Sequence, residues 1–481
     1  MTSHSPDLNV ARRAAELHRA GDETVDVLVI GGGITGVGVA LDAAARGLSV
    51  TLLEAEDLAF GTSRFSSKLV HGGLRYLATG DVATAKESAF ERHLLMTRIA
   101  PHLIRPLGQL LPFATGVTAR QRAAGTIGMA MGDLLRMRAR TPSRFLPPPR
   151  VVSALTAQRL VPSLSPAGLR GGMLSYDGQL VDDARLVITV ARTAASLGAC
   201  ILTRVRALEL RRDGATVEDV QTGERLDVRA RAVINATGVW AGSLDESITV
   251  RPSRGTHIVL DAADLGDPSA ALTIPHEDSI SRYVFALPQQ DGRVIVGLTD
   301  EDAPGPVPRV AEATEGDIAF LLANLNRVLS APITRAQVRG SFAGLRPLVD
   351  TGATSTADIS RRHLVSVSER GFVNVLGGKL TTYRRMAEDA VDLAVATAGL
   401  DAGPSGTAFL RLTDTAVAVT LDVDHGPVPR AVIEFAVRSE GAMTAEDVLD
   451  RRTRVGLLDA HRECQRQPVE SAVAEILSTL S

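Results

Sequence analysis

A chain of 481 residues, 45% hydrophobic and 22% charged, has the balance of a globular protein and the length of two or three folded units rather than one. Its formal net charge of −3 excludes the global basic field of a nucleic-acid-binding protein. Two distant cysteines, Cys200 and Cys464, exclude a disulfide framework or a zinc site and fit a reducing cytoplasm.

Residues 1–27 contain no apolar core of a secretory signal, and nowhere does an apolar run reach the length of a membrane-spanning helix. Residues 25–30 (VDVLVI) read as a short buried strand. There follow Gly31-Gly32-Gly33-Ile34-Thr35-Gly36, a helix over 37–46 ended by Gly47, and a second strand over 49–53 leading into Glu54. This is a complete βαβ unit, with G-x-G-x-x-G on Gly31, Gly33 and Gly36. The first glycine permits the tight turn, the second lets the backbone approach a pyrophosphate, and the third lets helix and strand pack closely. The start of the helix, at Ile34 and Thr35, offers N–H groups and a partial positive charge to the phosphates. Glu54, 18 residues beyond Gly36, can accept from a ribose hydroxyl and disfavours the 2′-phosphate of NADP. NAD and FAD both stay open at this step. A glycine-rich turn without a ligand is the plainer alternative; it leaves the strand, helix and acid in their places unexplained.

Residues 61–77 read GTSRFSSKLVHGGLRYL. Gly61, Thr62, Ser63, Ser66, Ser67 and Lys68 form a small, polar stretch able to wrap a pyrophosphate or flavin ring with backbone and hydroxyl donors. His71, Gly72, Gly73, Arg75 and Tyr76 add charge and aromatic surface beside it. All but three of the 52 basic residues are arginine, so a retained lysine (Lys68, Lys86 or Lys379) can mark a place that needs a compact ammonium, with chance survival the equal alternative. Further on, a strand over 231–234 runs into Ala236-Thr237-Gly238, which resembles the second nucleotide-side motif of flavoproteins with two dinucleotide domains.

On these residues the chain resembles the FAD-dependent glycerol-3-phosphate dehydrogenase family, part of the D-amino-acid-oxidase-like flavoproteins. The resemblance extends through Ala100 to Leu103 (APHL), Asp182-Asp183-Ala184-Arg185-Leu186, Arg254-Gly255-Thr256-His257, Gly297-Leu298-Thr299-Asp300, Gly344-Leu345-Arg346-Pro347-Leu348 and Gly377-Gly378-Lys379-Leu380-Thr381-Thr382-Tyr383. Three positions depart from the family pattern: Val239 replaces a proline, Arg254 a lysine and Leu298 a threonine. The closing region is short, although Asp450-Arg451-Arg452 still resembles the family's last domain.

The resemblance implies an α/β protein. A Rossmann-type FAD-binding domain would be assembled from residues 20–104, 166–244 and 341–400; an antiparallel-sheet substrate domain from 105–165 and 245–340; and a small helical C-terminal domain from 401–481. It also implies oxidation of sn-glycerol 3-phosphate to dihydroxyacetone phosphate, with hydride passing from C2 to non-covalently held FAD and electrons moving on to a quinone. An oxidase using O2 is the alternative. Arg75, Tyr76, Arg346, Arg361 and Lys379 would line the substrate pocket, arginine suiting a phosphate through its planar fork. Gly378, Lys379, Leu380 and Thr381, ahead of a helix running to about residue 398, would face the flavin's pyrimidine edge. A base near the C2 hydroxyl is required; His257, His71 and Lys379 are candidates, with His257 the working choice, and Arg346 shares the reacting centre. An amino-acid oxidase and a non-catalytic flavin carrier are the remaining readings; the arginine-rich pocket argues against the first and the joint presence of Arg75, Arg346, Lys379 and His257 against the second.

In the remaining segments, 283–288 and 293–299 read as a hairpin and 428–438 and 445–458 as short amphipathic helices. Residues 107–118 with 123–137 mix apolar side chains and arginines. They suit either contact with the cytoplasmic face of a membrane, where a quinone dissolves, or, the preferred reading, a buried hairpin or helix. A homodimer is left open and nucleic acid is not expected.

Overall fold

The computed structural model describes residues 4–73, 81–277, 279–280, 282–349, 362–414 and 426–480. Its described strands form two sheets. In the first, the apolar runs Thr24–Ile30 and Val50–Glu54 pair in parallel, flanked by Arg225–Asn235 on one side and Cys200–Thr203 on the other, also parallel. Val373–Gly377 adds in parallel to the far side of Arg225–Asn235. A continuous apolar strand is what a parallel sheet covered on both faces demands, and Val27, Leu28 and Val29 are fully buried.

The helix after the first strand, Ile34–Ala45, begins three residues earlier than the sequence predicts, because Gly33 serves as its N-cap. It is made almost wholly of small and apolar residues and is buried nearly end to end. Those small residues let other helices lie close: a side chain at Gly38 would press on the ring of Tyr383, the first residue of the Tyr383–Ala398 helix. One core cluster joins this helix, the first sheet and the Asp183–Ser196 helix.

The second sheet runs through strands Val250–Asp261, Arg293–Gly297, Tyr283–Pro288, Ala271–Pro275, Ile104–Pro112 and Gly172–Leu180, with Gly340–Val349 beside the first of these. It is antiparallel except where Ala271–Pro275 meets Ile104–Pro112. The predicted hairpin is present as Tyr283–Pro288 and Arg293–Gly297. Sheet membership departs from the expected ranges at three places: Leu69–Val70, Gly172–Leu180 and Gly340–Val349 belong to this sheet, while the sequence places all three with the nucleotide-binding segments. A strand's partner is set by non-local packing that its own residues do not encode.

The C-terminal region carries the helix Arg430–Glu440, a short turn of helix from Ala445 to Arg452, and a 20-residue helix, Asp459–Ser478, that sequence reading missed. Pro468 inside that helix and its weak apolar stripe hide it. These elements share their own small apolar core.

Candidate active site

Between the two sheets lies a cavity of about 1040 Å³. One wall is the carboxyl end of the parallel sheet, where open α/β sheets bind their ligands. There Gly31, Gly33, Ile34, Thr35, Glu54, Ala236, Thr237 and Gly238 come together. The strand ends are held by a buried amide ladder: Asn235 Nδ2 donates to Asn374 Oδ1 at 2.9 Å, and Asn374 Nδ2 donates to Asp245 at 2.7 Å.

The glycine turn fits a dinucleotide on steric grounds. Gly31 has φ of +109°, and a Cβ there would lie 2.6 Å from the Ala236 carbonyl oxygen. Gly36 does not line the cavity; any side chain on it would run into the Gly31 carbonyl, so it serves the helix–strand packing assigned to the third glycine. Gly33 gives its helix no side-chain cap, leaving backbone donors at the cavity edge. Ser63 Oγ accepts from the Ile34 N–H at 2.9 Å. Glu54 accepts from Gly32 N at 2.6 Å and from Glu56 N at 2.8 Å. Burial raises its carboxyl to about 7, against these two hydrogen bonds.

The polar stretch of 61–73 divides. Gly61, Thr62, Ser63, Ser66, Ser67 and His71 line the cavity; Lys68, Gly72 and Gly73 do not. Lys68 is almost fully buried. Its ammonium donates to Asp183 at 2.5 Å and to the Arg64 carbonyl at 2.6 Å, and Asp183 in turn accepts from Ser66 N at 2.9 Å. In place of the expected cofactor contact, Lys68 anchors the loop whose serines face the cavity. Gly72 N donates to Asp177, which is paired with Arg92 at 2.5 Å, and Gly73 N donates to His71 Nδ1 at 3.2 Å. Both glycines shape the loop from behind.

The opposite wall is one face of the second sheet. In register, His257 sits across from Gly297, Gly297 from Phe285, and Phe285 from Thr273, so these residues share the cavity-facing side. Glycine is required where space is taken: a side chain at Gly297 would collide with the His257 ring, and one at Gly255 with the Arg346 guanidinium. The His257 ring stacks on Phe342 at 4.8 Å between centroids. Its Nε2 shares a hydrogen bond of 2.8 Å with Ser67 Oγ, and its Nδ1 is buried with no hydrogen-bond partner among the described residues. Burial, then the Arg346 and Lys68 cations, push its pKa down to about 3, so the ring is neutral near pH 7. Arg346 lines the cavity and donates to Ser253 Oγ and Asp300 at 3.1 Å and to the Thr299 carbonyl at 3.0 Å. Asp300 thus offsets part of the charge expected to meet a phosphate.

At the third side Gly377 and Gly378 take left-handed conformations with φ of +69° and +72°, turning the chain into Leu380–Thr382 and the Tyr383–Ala398 helix. Gly378, Lys379, Leu380 and Thr381 all line the cavity. The Lys379 ammonium is hydrogen-bonded to Ser88, and Thr381 Oγ1 accepts from His71 N at 3.3 Å. Tyr383 is buried in the core instead of facing the cavity. Arg75, Tyr76 and Arg361 lie outside the described residues.

Sequence reading missed several walls. The Ala119–Arg138 helix contributes Ala124, Ile127, Met129 and Met131 to the cavity, and the same helix exposes Ile127, Met131, Leu134 and Met137 to solvent. It is half buried, between the two placements expected for it. Trp240 also went unassigned; it lies two residues beyond the Ala-Thr-Gly motif, which was the signal available for it.

Comparison with known proteins gives the following similarities. Residues 26–384 match the family described as FAD dependent oxidoreductase. The chain is 47% identical over 500 residues to glycerol-3-phosphate dehydrogenase 1 of Mycobacterium tuberculosis, covering 96% of this chain and 97% of that protein. It is 33% identical to the mitochondrial glycerol-3-phosphate dehydrogenase of Macaca fascicularis, over 98% of this chain and 72% of that one. In fold it is similar to a glycerol-3-phosphate dehydrogenase from Bacillus halodurans solved with FAD, with TM-score 0.73, 23% identity and coverage of 99% and 97%.

Proposed function

We propose, because the chain belongs to the FAD dependent oxidoreductase family and within it to the glycerol-3-phosphate dehydrogenases, that it oxidises sn-glycerol 3-phosphate to dihydroxyacetone phosphate. The observation that carries this reading is a single cavity with the dinucleotide cradle of Gly31, Gly33 and Glu54 along one wall and Arg346, His257 and Lys379 around the rest. Bound FAD supplies the acceptor for the hydride leaving C2.

The chain's own residues bind, orient and move the proton. The Gly31–Gly36 turn and the start of the Ile34–Ala45 helix hold the pyrophosphate. Glu54 accepts from the ribose, and Gly378 to Thr381 present N–H groups and the Lys379 ammonium to the ring edge. Arg346 binds the substrate phosphate, joined on motif grounds by Arg75, Tyr76 and Arg361. Those grounds are the stretches HGGLRYL and ISRR. His257 takes the C2 hydroxyl proton by way of Ser67 Oγ, which faces the cavity and shares a hydrogen bond with Nε2. A phosphate dianion seated against Arg346 raises the basicity of that imidazole at the moment it is needed. His71 is placed to orient the loop and the ring edge through its bonds to Thr381 and Gly73.

A quinone is the proposed electron acceptor, met at the cytoplasmic face of the membrane. Support comes from the Ala119–Arg138 helix, whose exposed Ile127, Met131, Leu134 and Met137 continue an apolar surface that begins inside the cavity. No helix among the described residues is long and apolar enough to cross a membrane. Anaerobic mixing with sn-glycerol 3-phosphate should bleach the flavin, and a quinone analogue should restore its colour faster than O2. Failure to bleach refutes the dehydrogenase reading; faster recovery with O2 refutes the quinone. Co-sedimentation with anionic liposomes, lost in Ile127→Glu, tests the membrane contact.

A further inference from the structure

The segment after the second nucleotide strand walls the cavity with Glu54, Glu56 and Phe60. By the logic of the glycine turn, Glu54 marks the ribose, so this segment borders the adenosine end of the cofactor. Its middle residue, Asp57, is buried and receives two arginines from the C-terminal helical unit. Arg452 donates to both carboxylate oxygens at 2.8 and 2.9 Å, and Arg451 donates to one at 2.5 Å. The Arg451 guanidinium also lies 5.7 Å from the centre of the Phe60 ring. The same unit reaches the adjoining segment, where the Arg204 N–H donates to the Glu56 carbonyl at 3.0 Å. Asp447 accepts from Arg204 at 2.6 and 2.8 Å, and Arg204 precedes Val205 and Arg206, which line the cavity. Ala59 and Arg204 both hold left-handed backbone, with φ of 61° and 59°, so each segment carries local strain that something else must hold. Buried charges are expensive unless partnered, and here Asp447, Arg451 and Arg452 each reach this end of the cavity, by way of Asp57 or Arg204.

We propose that the C-terminal helical unit is a clamp on the adenosine end of the FAD site, with Asp447, Arg451 and Arg452 as its positioning residues. The inference rests on the FAD-dependent reading above. It assigns cofactor affinity to contacts of the C-terminal unit: Asp447, Arg451 and Arg452 brace the segments around Asp57 and Arg204 at the adenosine end, while the unit's apolar contact with the second sheet, Leu458 in one cluster with Val259, Ile295 and Phe342, involves none of the three.

The test uses the full-length protein stripped of flavin. Binding of FAD and of ADP is measured for the wild type, for Asp57→Asn and for the milder Arg451→Lys, and flavin bleaching by sn-glycerol 3-phosphate is followed at saturating FAD. In Asp57→Asn both affinities should fall together, on the order of tenfold, the usual size of a coupling between linked sites. The bleaching rate of the saturated enzyme should not change. Arg451→Lys, which keeps the charge, should show the same equal loss at smaller size, and it serves alone if Asp57→Asn does not fold. A tether with only a structural role would lower the melting temperature equally with and without FAD; the clamp lowers it more with FAD present. Unchanged FAD affinity, loss of FAD without loss of ADP, or slowed bleaching at saturation each overturns the clamp. A wild type that binds no FAD overturns the family-based function instead.

Discussion

Replacing Lys68 by methionine tests the claim that this lysine anchors a loop and leaves the cofactor to others. The Lys68 and Asp183 side chains are 2% and 0% exposed, so methionine keeps most of the packing while stranding a buried carboxylate. Breaking a buried ion pair from one side costs about 3–5 kcal/mol. With an unfolding entropy of roughly 2.1 cal/mol/K per residue, spread over 481 residues, that lowers the melting temperature of a cooperatively unfolding protein by about 3–5 °C. The loss should depend on pH. Burial already raises the Asp183 carboxyl above its usual range, against the attraction of Lys68. Without the ammonium it rises further. A folded pKa above the unfolded one means the penalty is small at low pH and grows as pH rises through the folded value. The deficit of Lys68→Met should therefore be larger at pH 8 than at pH 5. In the double variant Lys68→Met/Asp183→Asn no charge is stranded, and the total loss should fall short of the sum of the single losses by about 1–3 kcal/mol. Calorimetry of the four proteins across pH supplies the measurement. Additive losses with no pH dependence would refute the anchoring argument.

Four further outcomes follow from the same geometry. Apoprotein stability should decline as pH rises through about 7, because the buried Glu54 carboxyl must then ionise, and Glu54→Gln should remove that decline in a thermal-shift series. FAD affinity should move the opposite way, strengthening above pH 7 in the wild type and staying flat in Glu54→Gln when titrated by fluorescence. Gly36→Ala should abolish flavin retention through gel filtration, since the new methyl meets the Gly31 carbonyl and overpacking of this kind costs roughly 1–3 kcal/mol or more; flavin-replete protein would contradict it. Arg346→Lys should lower kcat/KM for sn-glycerol 3-phosphate by about 10–100-fold, the worth of a lost charge-assisted hydrogen bond, while leaving FAD content intact.

How much was legible beforehand depended on how local each signal was. The βαβ unit declared itself because three glycines, an apolar strand and an acid sit within one short stretch. The 61–73 loop was recognised as a site, yet the buried partner of Lys68 and the His257 partner of Ser67 were not legible, for the same reason: Asp183 lies 115 residues away and His257 lies 190 away. Nothing within SSKLVHGG says which polar group turns outward. Gly172–Leu180 was grouped with the nucleotide segments because a strand's alternation reveals its faces and not its partners. The Ala119–Arg138 helix resisted assignment because it has two masters: all of Gly125, Ile127, Met129 and Met131 line the cavity, but Gly125 and Met129 are buried while Ile127 and Met131 are also exposed to solvent.

The order of the parallel sheet has a consequence for how the protein is made. Val373–Gly377 must dock beside Arg225–Asn235, which must itself lie beside Thr24–Ile30. The glycine turn leaves the ribosome well before the strand that completes its binding surface, Val373–Gly377. Such long-range pairings are slow to form and leave sheet edges uncovered meanwhile. A nascent chain halted before residue 377 is therefore a ligand-incompetent, aggregation-prone species, and flavin capture waits for that last strand of the sheet to dock.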